Sequence, residues 1–310
     1  MSKNKKYTID TIDFNSLVKI NDENHSKTML YLEKAIKETG FLVLKNSPIQ
    51  FQTCKKLLNQ YKLFFKKPIK EKNKVNMSLT NSNRGWGASK SEQVNRDYNP
   101  DFKEIYDCGP EINSNHKFKN LPYYAKNIWP DDMPELKNLA KNFYDECNSI
   151  GIIILNKIAK ILKLSDTYFS DKFDLPMALL RCNFYPERPN WAQKDDYGIA
   201  PHTDYGCLTL LFTEGDPGLE IKILDGTWKK ITSKKGDIIV NFGDMLQFWS
   251  NNKVRATQHR VIGTNKCRYS IPFFFNPRHD TIIKKNKNKP DVLAGEYLAY
   301  KYDTTYRHKL

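Results

Sequence analysis

The chain has 310 residues and 39% hydrophobic residues, which is enough for a sizeable core in one large domain with an appended layer. Its formal net charge of +15 is scattered through Lys- and Asn-rich stretches, so it gives little support to a nucleic-acid partner and at most weak support to an acidic substrate. The sequence shows no secretory signal, no membrane-spanning run and no CxxC spacing among its six cysteines. We therefore expect a cytoplasmic protein with free thiols and no membrane partner.

The first half of the chain combines amphipathic helices with two short strands. The predicted elements are strands over 9–14 and 41–46 and helices over 24–39, 50–65 and 132–165. Gly40 follows the first of these helices as a stop signal. Residues 71–130 read as a long irregular stretch, and such stretches in compact proteins are usually functional or mobile.

From about residue 176 the pattern changes to short strand-like runs separated by Gly, Pro, Asp and Asn. These runs are 177–186, 207–214, 219–223, 227–231, 237–243, 255–263 and 267–275. Many short strands with turn residues between them are typical of a β-sandwich or a jelly roll. We therefore predict a mainly β fold whose core is braced by an N-terminal helical layer.

A candidate metal site lies within this β region. The segment PHTDYG places His202 and Asp204 two residues apart, and alternate side chains of an extended chain share one face. His259 lies in a later strand-like run, which a rolled-up sheet can bring back to the same place. Two imidazoles and one carboxylate form the facial triad of non-haem Fe(II) oxygenases, which leaves coordination positions open. A bare HxD pattern is common, however, and by itself it favours a chance pair on a turn, with His259 as a surface histidine.

Two further pairs of residues bear on this alternative. Arg268 and Ser270 share one face of the last strand-like run, and a guanidinium beside a hydroxyl is suited to hold a carboxylate. Asn183 and Tyr185 show the same spacing and are candidates to contact a second carboxylate or a keto acid near the metal, or simply to hydrogen-bond at a strand end. The same parity turns Cys182 to the opposite face, as a packing residue.

These residues and the stretches around them resemble the 2-oxoglutarate and Fe(II)-dependent dioxygenases. The similar branch includes isopenicillin N synthase and plant flavonoid and gibberellin oxidases. The matching stretches are GFLVLKN (40–46), DFKEIYDCG (101–109), NFYP (183–186), HTDYGCLTLLF (202–212), GLEIK (218–222), GDMLQFWSNNKVRATQHRV (243–261), RYSIPFFFNP (268–277) and GEYLAYKYDTTY (295–306). They follow the order of the family over nearly the whole chain.

The resemblance implies a double-stranded β-helix, or jelly-roll, core and assigns roles to the candidate residues. Three regions are expected: an N-terminal helical and mixed region (1–175), the jelly-roll domain (176–280) and a C-terminal helical extension or lid (281–310). The implied iron ligands are His202, Asp204 and His259. The implied 2-oxoglutarate contacts are Arg268 and Ser270 at the distal carboxylate, with Tyr185 and Asn183 nearer the iron. Candidates for the substrate side are Phe274, Arg84 and Trp86, although Phe274 also fits core packing.

The expected activity is the Fe(II)- and 2-oxoglutarate-dependent oxidation of a small organic molecule, by hydroxylation, desaturation or ring closure, with release of succinate and CO2. O2 is the other substrate, ascorbate is a candidate reductant, and we expect a monomer. Three alternatives stay open at this point. They are an oxidase that lacks 2-oxoglutarate, as in isopenicillin N synthase or aminocyclopropane oxidase, a nucleic-acid-directed dioxygenase, and a jelly-roll binding protein.

Overall fold

A computed structural model describes residues 9–80, 82–193, 196–215, 218–287 and 289–303. The ends of the predicted N- and C-terminal regions, 1–8 and 304–310, lie outside the described residues. The helices are α1 (Phe14–Val18), α2 (His25–Lys34), α3 (Phe51–Phe65), α4 (Ile69–Lys72), α5 (Pro134–Ile161), α6 (Asp244–Trp249) and α7 (Ala294–Asp303). The strands of the first half are β1 (Thr11–Asp13), β2 (Phe41–Lys45), β3 (Gly85–Gly87) and β4 (Glu104–Cys108). The later strands are β5 (Leu179–Tyr185), β6 (Ile199–His202), β7 (Leu208–Thr213), β8 (Leu219–Lys222), β9 (Trp228–Lys230), β10 (Ile238–Phe242), β11 (His259–Val261), β12 (Arg268–Phe275), β13 (Ile282–Lys284) and β14 (Val292–Leu293).

Two sheets form the jelly-roll core. The larger sheet has the strand order β1-β2-β10-β7-β12-β5-β4-β3, and the smaller has the order β6-β11-β8-β9. Residues of both sheets meet in one buried cluster, which includes Tyr185 and Ile239 from the large sheet and Ile221 and Val261 from the small one. The predicted fold is confirmed, and the space between the sheets is where side chains from β5, β6, β11 and β12 converge.

The helical layer covers the outer face of the large sheet. Helix α5 packs on β7 and β12, with the ring centroids of Phe143 and Phe212 separated by 4.7 Å. The approach is close at Gly151, where a Cβ atom would lie 2.6 Å from the ring of Phe275. The predicted stop at Gly40 is also confirmed, because this residue ends a π-helical turn with φ of +67°. The longest helix of this layer therefore packs closely on the large sheet.

Several boundaries differ from the sequence predictions. The stretch 71–130 contains strands β3 and β4 as well as irregular structure, and the run 255–263 is extended only over His259–Val261. Strand β4 is hidden in the sequence because it buries the acidic residue Asp107, whose charge is met by Arg181 of the neighbouring strand. Strand β6 and the β13–β14 pair were also missed.

All six cysteines are free thiols, as expected. Within the described part of the chain, no helix combines the length and the apolar character needed to cross a bilayer.

Candidate metal centre

The register of two short strands brings the two candidate histidines together. His259 of β11 lies directly opposite His202 of β6 in an antiparallel pair, and their ring centroids are 4.3 Å apart. Asp204 follows in the turn after β6, with Oδ1 3.6 Å from Nε2 of His202 and 3.5 Å from Nε2 of His259. Three ligand atoms of these residues lie within 4.8 Å of one another, so the three side chains could hold one metal ion.

Each of the two imidazole rings is oriented by a hydrogen bond to a backbone carbonyl oxygen. Nδ1 of His202 lies 2.8 Å from the carbonyl oxygen of Ala200, and Nδ1 of His259 lies 3.1 Å from the carbonyl oxygen of Thr257. A carbonyl can only accept, so each Nδ1 carries a proton, and in the neutral ring the lone pair is on Nε2, which faces the centre.

Asp204 is held in the same way. Its Oδ2 accepts from the side-chain amide of Asn241 at 2.7 Å and from the hydroxyl of Thr209 at 2.5 Å. These two donors occupy Oδ2 and leave Oδ1 as the oxygen that faces both imidazoles. The carboxylate is therefore positioned to bind a cation through one oxygen.

The electrostatics of the cluster favour a cation at its centre. Burial opposes ionisation of Asp204, yet the positive charge available on His259 and hydrogen bonds from both histidines hold the pKa of this carboxyl well below its ordinary value. Burial likewise opposes protonation of His259, but the charge of Asp204 raises its pKa. Nearby positive charge thus stabilises the ionised carboxylate of Asp204. A divalent cation coordinated by neutral imidazoles would supply such charge.

A cavity of about 440 Å³ adjoins the cluster, and we call it the Arg268 cavity. Its wall contains all three candidate ligands together with the residues predicted to bind the co-substrate. These are Asn183, Tyr185, Arg268, Ser270 and Phe274. Antiparallel pairing of β5 with β12 places Arg268 opposite Tyr185 and Ser270 opposite Asn183, which explains why the two pairs share one wall.

Arg268 lies buried in this cavity and is paired with no carboxylate of the described residues. The residue is 3% exposed, and its Nε and Nη1 atoms have no hydrogen-bond partner within the described ranges. Its guanidinium stacks on Tyr185, with Cζ 5.0 Å from the ring centroid. An unpaired buried cation is costly, so the cavity is suited to an anionic ligand that pairs with it. A dicarboxylate meets this requirement.

A second cavity, of about 610 Å³, also adjoins the cluster, and we call it the Glu92 cavity. It shares His202, Asp204, Asn183 and Phe274 with the Arg268 cavity. Its remaining wall includes charged residues from β5 and from the segment before β4, among them Glu92. The candidate metal centre therefore adjoins two cavities whose remaining walls differ in charge.

The three residues predicted for the substrate side lie in three different surroundings. Phe274 lines both cavities. Arg84 lines a smaller adjoining cavity, where Nη1 donates to the carbonyl of Asn83 and Nη2 to that of Tyr123. Trp86 lies in the core, donates to Glu104 at 2.7 Å, and does not reach the wall of either main cavity as described.

Sequence reasoning missed several residues of this site. Thr209 and Asn241 hold Asp204 but lie on β7 and β10 and carry no motif of their own. Arg181 could have been found, because it has the same parity on β5 as Asn183 and Tyr185. Alternation along the strand was the available signal.

Two imidazoles and a carboxylate on one side of a cavity in a jelly roll define the non-haem Fe(II) oxygenase type of centre. The chain belongs to the 2OG-Fe(II) oxygenase superfamily, whose family model matches residues 176–277. A second family model, described as the N-terminal region of the non-haem dioxygenases in morphine synthesis, matches residues 9–132. The protein is therefore a non-haem Fe(II), 2-oxoglutarate-dependent dioxygenase that acts on a small molecule.

Relatives support this assignment over nearly the full length. A 2-oxoglutarate-Fe(II) type oxidoreductase of Metarhizium rileyi is 30% identical and covers 99% of this chain and 94% of its own. A homoarginine-6-hydroxylase of Arabidopsis thaliana is 30% identical over 85% of this chain and 80% of its own. A full-length Neurospora crassa protein, whose crystal structure was solved in complex with alpha-KG, superimposes with a TM-score of 0.84 at 28% identity and covers 98% of each chain.

Proposed function

We propose that this chain binds Fe(II) through His202, Asp204 and His259, and 2-oxoglutarate through Arg268 and Ser270, to oxidise a small organic molecule. The unpaired guanidinium of Arg268, buried in the same cavity as the three ligands, carries the proposal. One molecule of a keto dicarboxylate supplies both an anion for this guanidinium and oxygen ligands for the iron.

Iron and 2-oxoglutarate, when bound at these residues, would together supply the activation of O2, with succinate and CO2 as products. The protein residues orient and enclose them. Asn241 and Thr209 fix Asp204 so that one oxygen points to the metal, and backbone carbonyls fix both imidazoles. Most residues that line the Arg268 cavity are buried, which would limit the access of water to the reacting groups.

Asn183 and Tyr185 have supporting roles in this proposal. The side-chain amide of Asn183 donates to the hydroxyl of Ser270 at 3.3 Å and so orients it, while the ring of Tyr185 supports Arg268. We also propose that they contact the co-substrate near the iron. Phe274, which lines both cavities, is proposed to separate the co-substrate from the substrate.

Hydroxylation is the outcome that we propose for the substrate. Its support comes from relatives named as hydroxylases, which include a proline hydroxylase of Petromyces alliaceus that is 29% identical over 95% of this chain and the homoarginine-6-hydroxylase of Arabidopsis thaliana. Desaturation and ring closure use the same centre and stay as alternatives. The division into three regions, the monomeric state and the cytoplasmic location stay predictions from the sequence.

The proposal is tested with the anaerobically purified protein. Addition of Fe(II) and 2-oxoglutarate is expected to give a visible metal-to-ligand charge-transfer band, and admission of O2 is expected to release succinate. Omission of 2-oxoglutarate is the control. If calorimetry shows that iron binds but neither the band nor succinate is observed, the 2-oxoglutarate proposal fails.

Asn241→Ala is expected to lower the affinity for iron by about 10- to 100-fold, because the carboxylate ligand loses a donor that orients it. Anaerobic titration calorimetry with Fe(II) measures this change. Asn156→Ala, at a half-buried asparagine of α5, is the matched control and should leave the affinity unaltered. Equal affinity of the Asn241 and Asn156 variants would show that the hydrogen bond to Asp204 does not support metal binding.

A further inference from the structure

The charged side chains on one side of the Glu92 cavity are paired with one another. The two carboxylate oxygens of Glu92 lie 2.9 Å from Nζ of Lys103 and 2.8 Å from Nη2 of Arg181. Lys103 also pairs with Asp101 at 2.9 Å, and Arg181 donates through Nε and Nη2 to Asp107 at 2.7 and 2.6 Å. All five residues are no more than 7% exposed, and we call them the charge network. Each of its cations and carboxylates therefore has a counter-charge within the protein.

The charges of this network are balanced where it meets the cavity. Burial opposes the ionisation of Glu92, but Arg181 and Lys103 lower the pKa of this carboxyl to about 2, so it is ionised beside both cations. Behind it, burial raises the pKa of Asp107, and the charges of Arg181 and Arg84 oppose that rise. With Arg84 counted, three cations face three carboxyls. The network thus presents neither an excess cation nor an excess anion to a ligand.

The aromatic part of the cavity wall is already in contact with cations of the protein. The guanidinium of Arg181 lies over the ring of Phe274, with Cζ 5.9 Å from the centroid, and Nζ of Lys301 lies 5.5 Å from the centroid of Tyr205. Lys301 is itself paired with Asp244 at 2.9 Å. A cationic ligand at either ring would meet a like charge close by. These rings are therefore suited to apolar contact with a ligand.

The candidate metal centre adds no net charge to the cavity once it is loaded as proposed. The two positive charges of Fe(II) are offset by Asp204 and by one carboxylate of 2-oxoglutarate, while the imidazoles are neutral. The second carboxylate of 2-oxoglutarate is offset by Arg268, which lines the other cavity. The loaded centre therefore supplies no counter-charge for an ionised substrate.

The remaining wall of the Glu92 cavity is mainly apolar. It includes the side chains of Val94, Leu179, Ile199 and Tyr302. An ionised group that entered this space would lose hydration and would find no free counter-charge among the side chains that the structure describes there. An uncharged group avoids this cost and gains from the burial of apolar area. The cavity therefore disfavours ions of either sign.

From these observations we propose that the substrate is uncharged in the part that occupies the Glu92 cavity. The inference deepens the proposed function and rests on it, because it leaves this cavity to the substrate and the Arg268 cavity to 2-oxoglutarate. The charge network selects by exclusion, since its own charges are matched and an added charge of either sign is not. The net charge of +15 of the whole chain is not reproduced at this wall, so it does not predict an acidic substrate.

Three probes of nearly the same shape test the charge preference. Benzamide is neutral, benzoate is its anionic analogue and benzamidine is its cationic analogue. Valeramide, valerate and valeramidine repeat the comparison without an aromatic ring. Binding to the protein loaded with Fe(II) and saturating 2-oxoglutarate is measured by anaerobic calorimetry and by perturbation of the charge-transfer band. In at least one set we expect the amide to bind about tenfold or more tightly than either ion.

Two variants assign this preference to the charge network. Glu92→Gln removes a carboxylate and leaves the cations in excess, so the affinity for benzoate should rise about tenfold relative to benzamide. Lys103→Met leaves the carboxylates in excess, so benzamidine should gain by about the same factor. Glu220→Gln, at a buried acid that pairs with Arg260 and lines neither cavity, should leave both ratios unaltered. Thermal melts identify any variant that fails to fold, and the wild-type probe sets decide the question without the variants.

The outcomes separate this inference from the proposed function. The inference is overturned if the charge-transfer band forms normally but an ion binds as tightly as its amide in both sets, or if no probe binds. It is also overturned if both folded network variants keep the wild-type ratios. In each of these cases the proposed function stands. If the band itself does not form, the proposed function has failed instead.

Discussion

Asp204→Ala is expected to abolish iron binding, the charge-transfer band and succinate release together. Asp204 supplies the anionic ligand of the cluster, and its Oδ1 is the atom that lies about equally far from both imidazoles. Because loss of an orienting partner alone costs about 10- to 100-fold in metal affinity, loss of the ligand should cost more than about 100-fold. Anaerobic titration calorimetry with Fe(II) gives the affinity, and absorption spectra give the band.

Folding must be separated from metal binding in this experiment. The alanine variant leaves Asn241 and Thr209 without their acceptor, which costs about 1–3 kcal/mol for each buried polar group that stays unpaired. Circular dichroism of the metal-free protein shows whether the variant still folds. Glu220→Gln is the control, at a buried acid that pairs with Arg260 outside the cluster. A folded Asp204 variant that keeps wild-type iron affinity would remove this residue from the metal site.

Arg268→Ala is expected to weaken 2-oxoglutarate binding by about 100-fold or more while iron affinity is retained. The reason is that a buried charge pair is lost, and truncation of one member of such a pair costs about 2–5 kcal/mol. The Kd for 2-oxoglutarate is obtained by titrating the iron-loaded protein and following the charge-transfer band. Arg268→Lys should recover part of the affinity, since an ammonium keeps the charge but not the two-pronged geometry.

Arg268→Ala is also expected to retain the thermal stability of the ligand-free protein. In the ligand-free protein Arg268 is buried with two nitrogen atoms that find no partner in the described parts of the chain, so its removal should not lower the melting temperature. Arg278→Ala, at a partly exposed arginine paired with Asp174 and Asp280, is the control for 2-oxoglutarate affinity. An unaltered affinity of the Arg268 variant would show that another group holds the distal carboxylate.

Much of the site follows from the alternation of side chains along strands. Arg268 and Ser270 share a face by spacing, as do Asn183 and Tyr185, and the structure places both pairs on one wall because β5 and β12 are neighbours. Alternation fixes which side chains share a face before the partner strand is known. The resemblance then implied the jelly-roll core that brings distant strands together, which spacing alone does not contain.

Contacts between distant elements could not be predicted in this way. Lys103 and Glu92 come from an irregular segment, and Arg181, which pairs with Glu92, lies on β5, so this network of buried charges forms only once these elements meet. The contact of Asn241 with Asp204 could not be predicted for the same reason. In the sequence it is an ordinary residue of an apolar strand, and only the packing of β10 brings it to Asp204. Buried polar networks depend on tertiary placement, which local patterns do not encode.

The pairing of His202 with His259 has a consequence for the whole fold. The two residues belong to neighbouring strands of the small sheet, and Asp204 lies in the turn that leads to the large sheet. An ion held by all three is a reversible cross-link that exists only in the folded chain. At a free metal concentration about a thousand times Kd, this linkage adds about 4 kcal/mol to the free energy of unfolding. The supply of iron would thus affect the stability of the fold as well as catalysis.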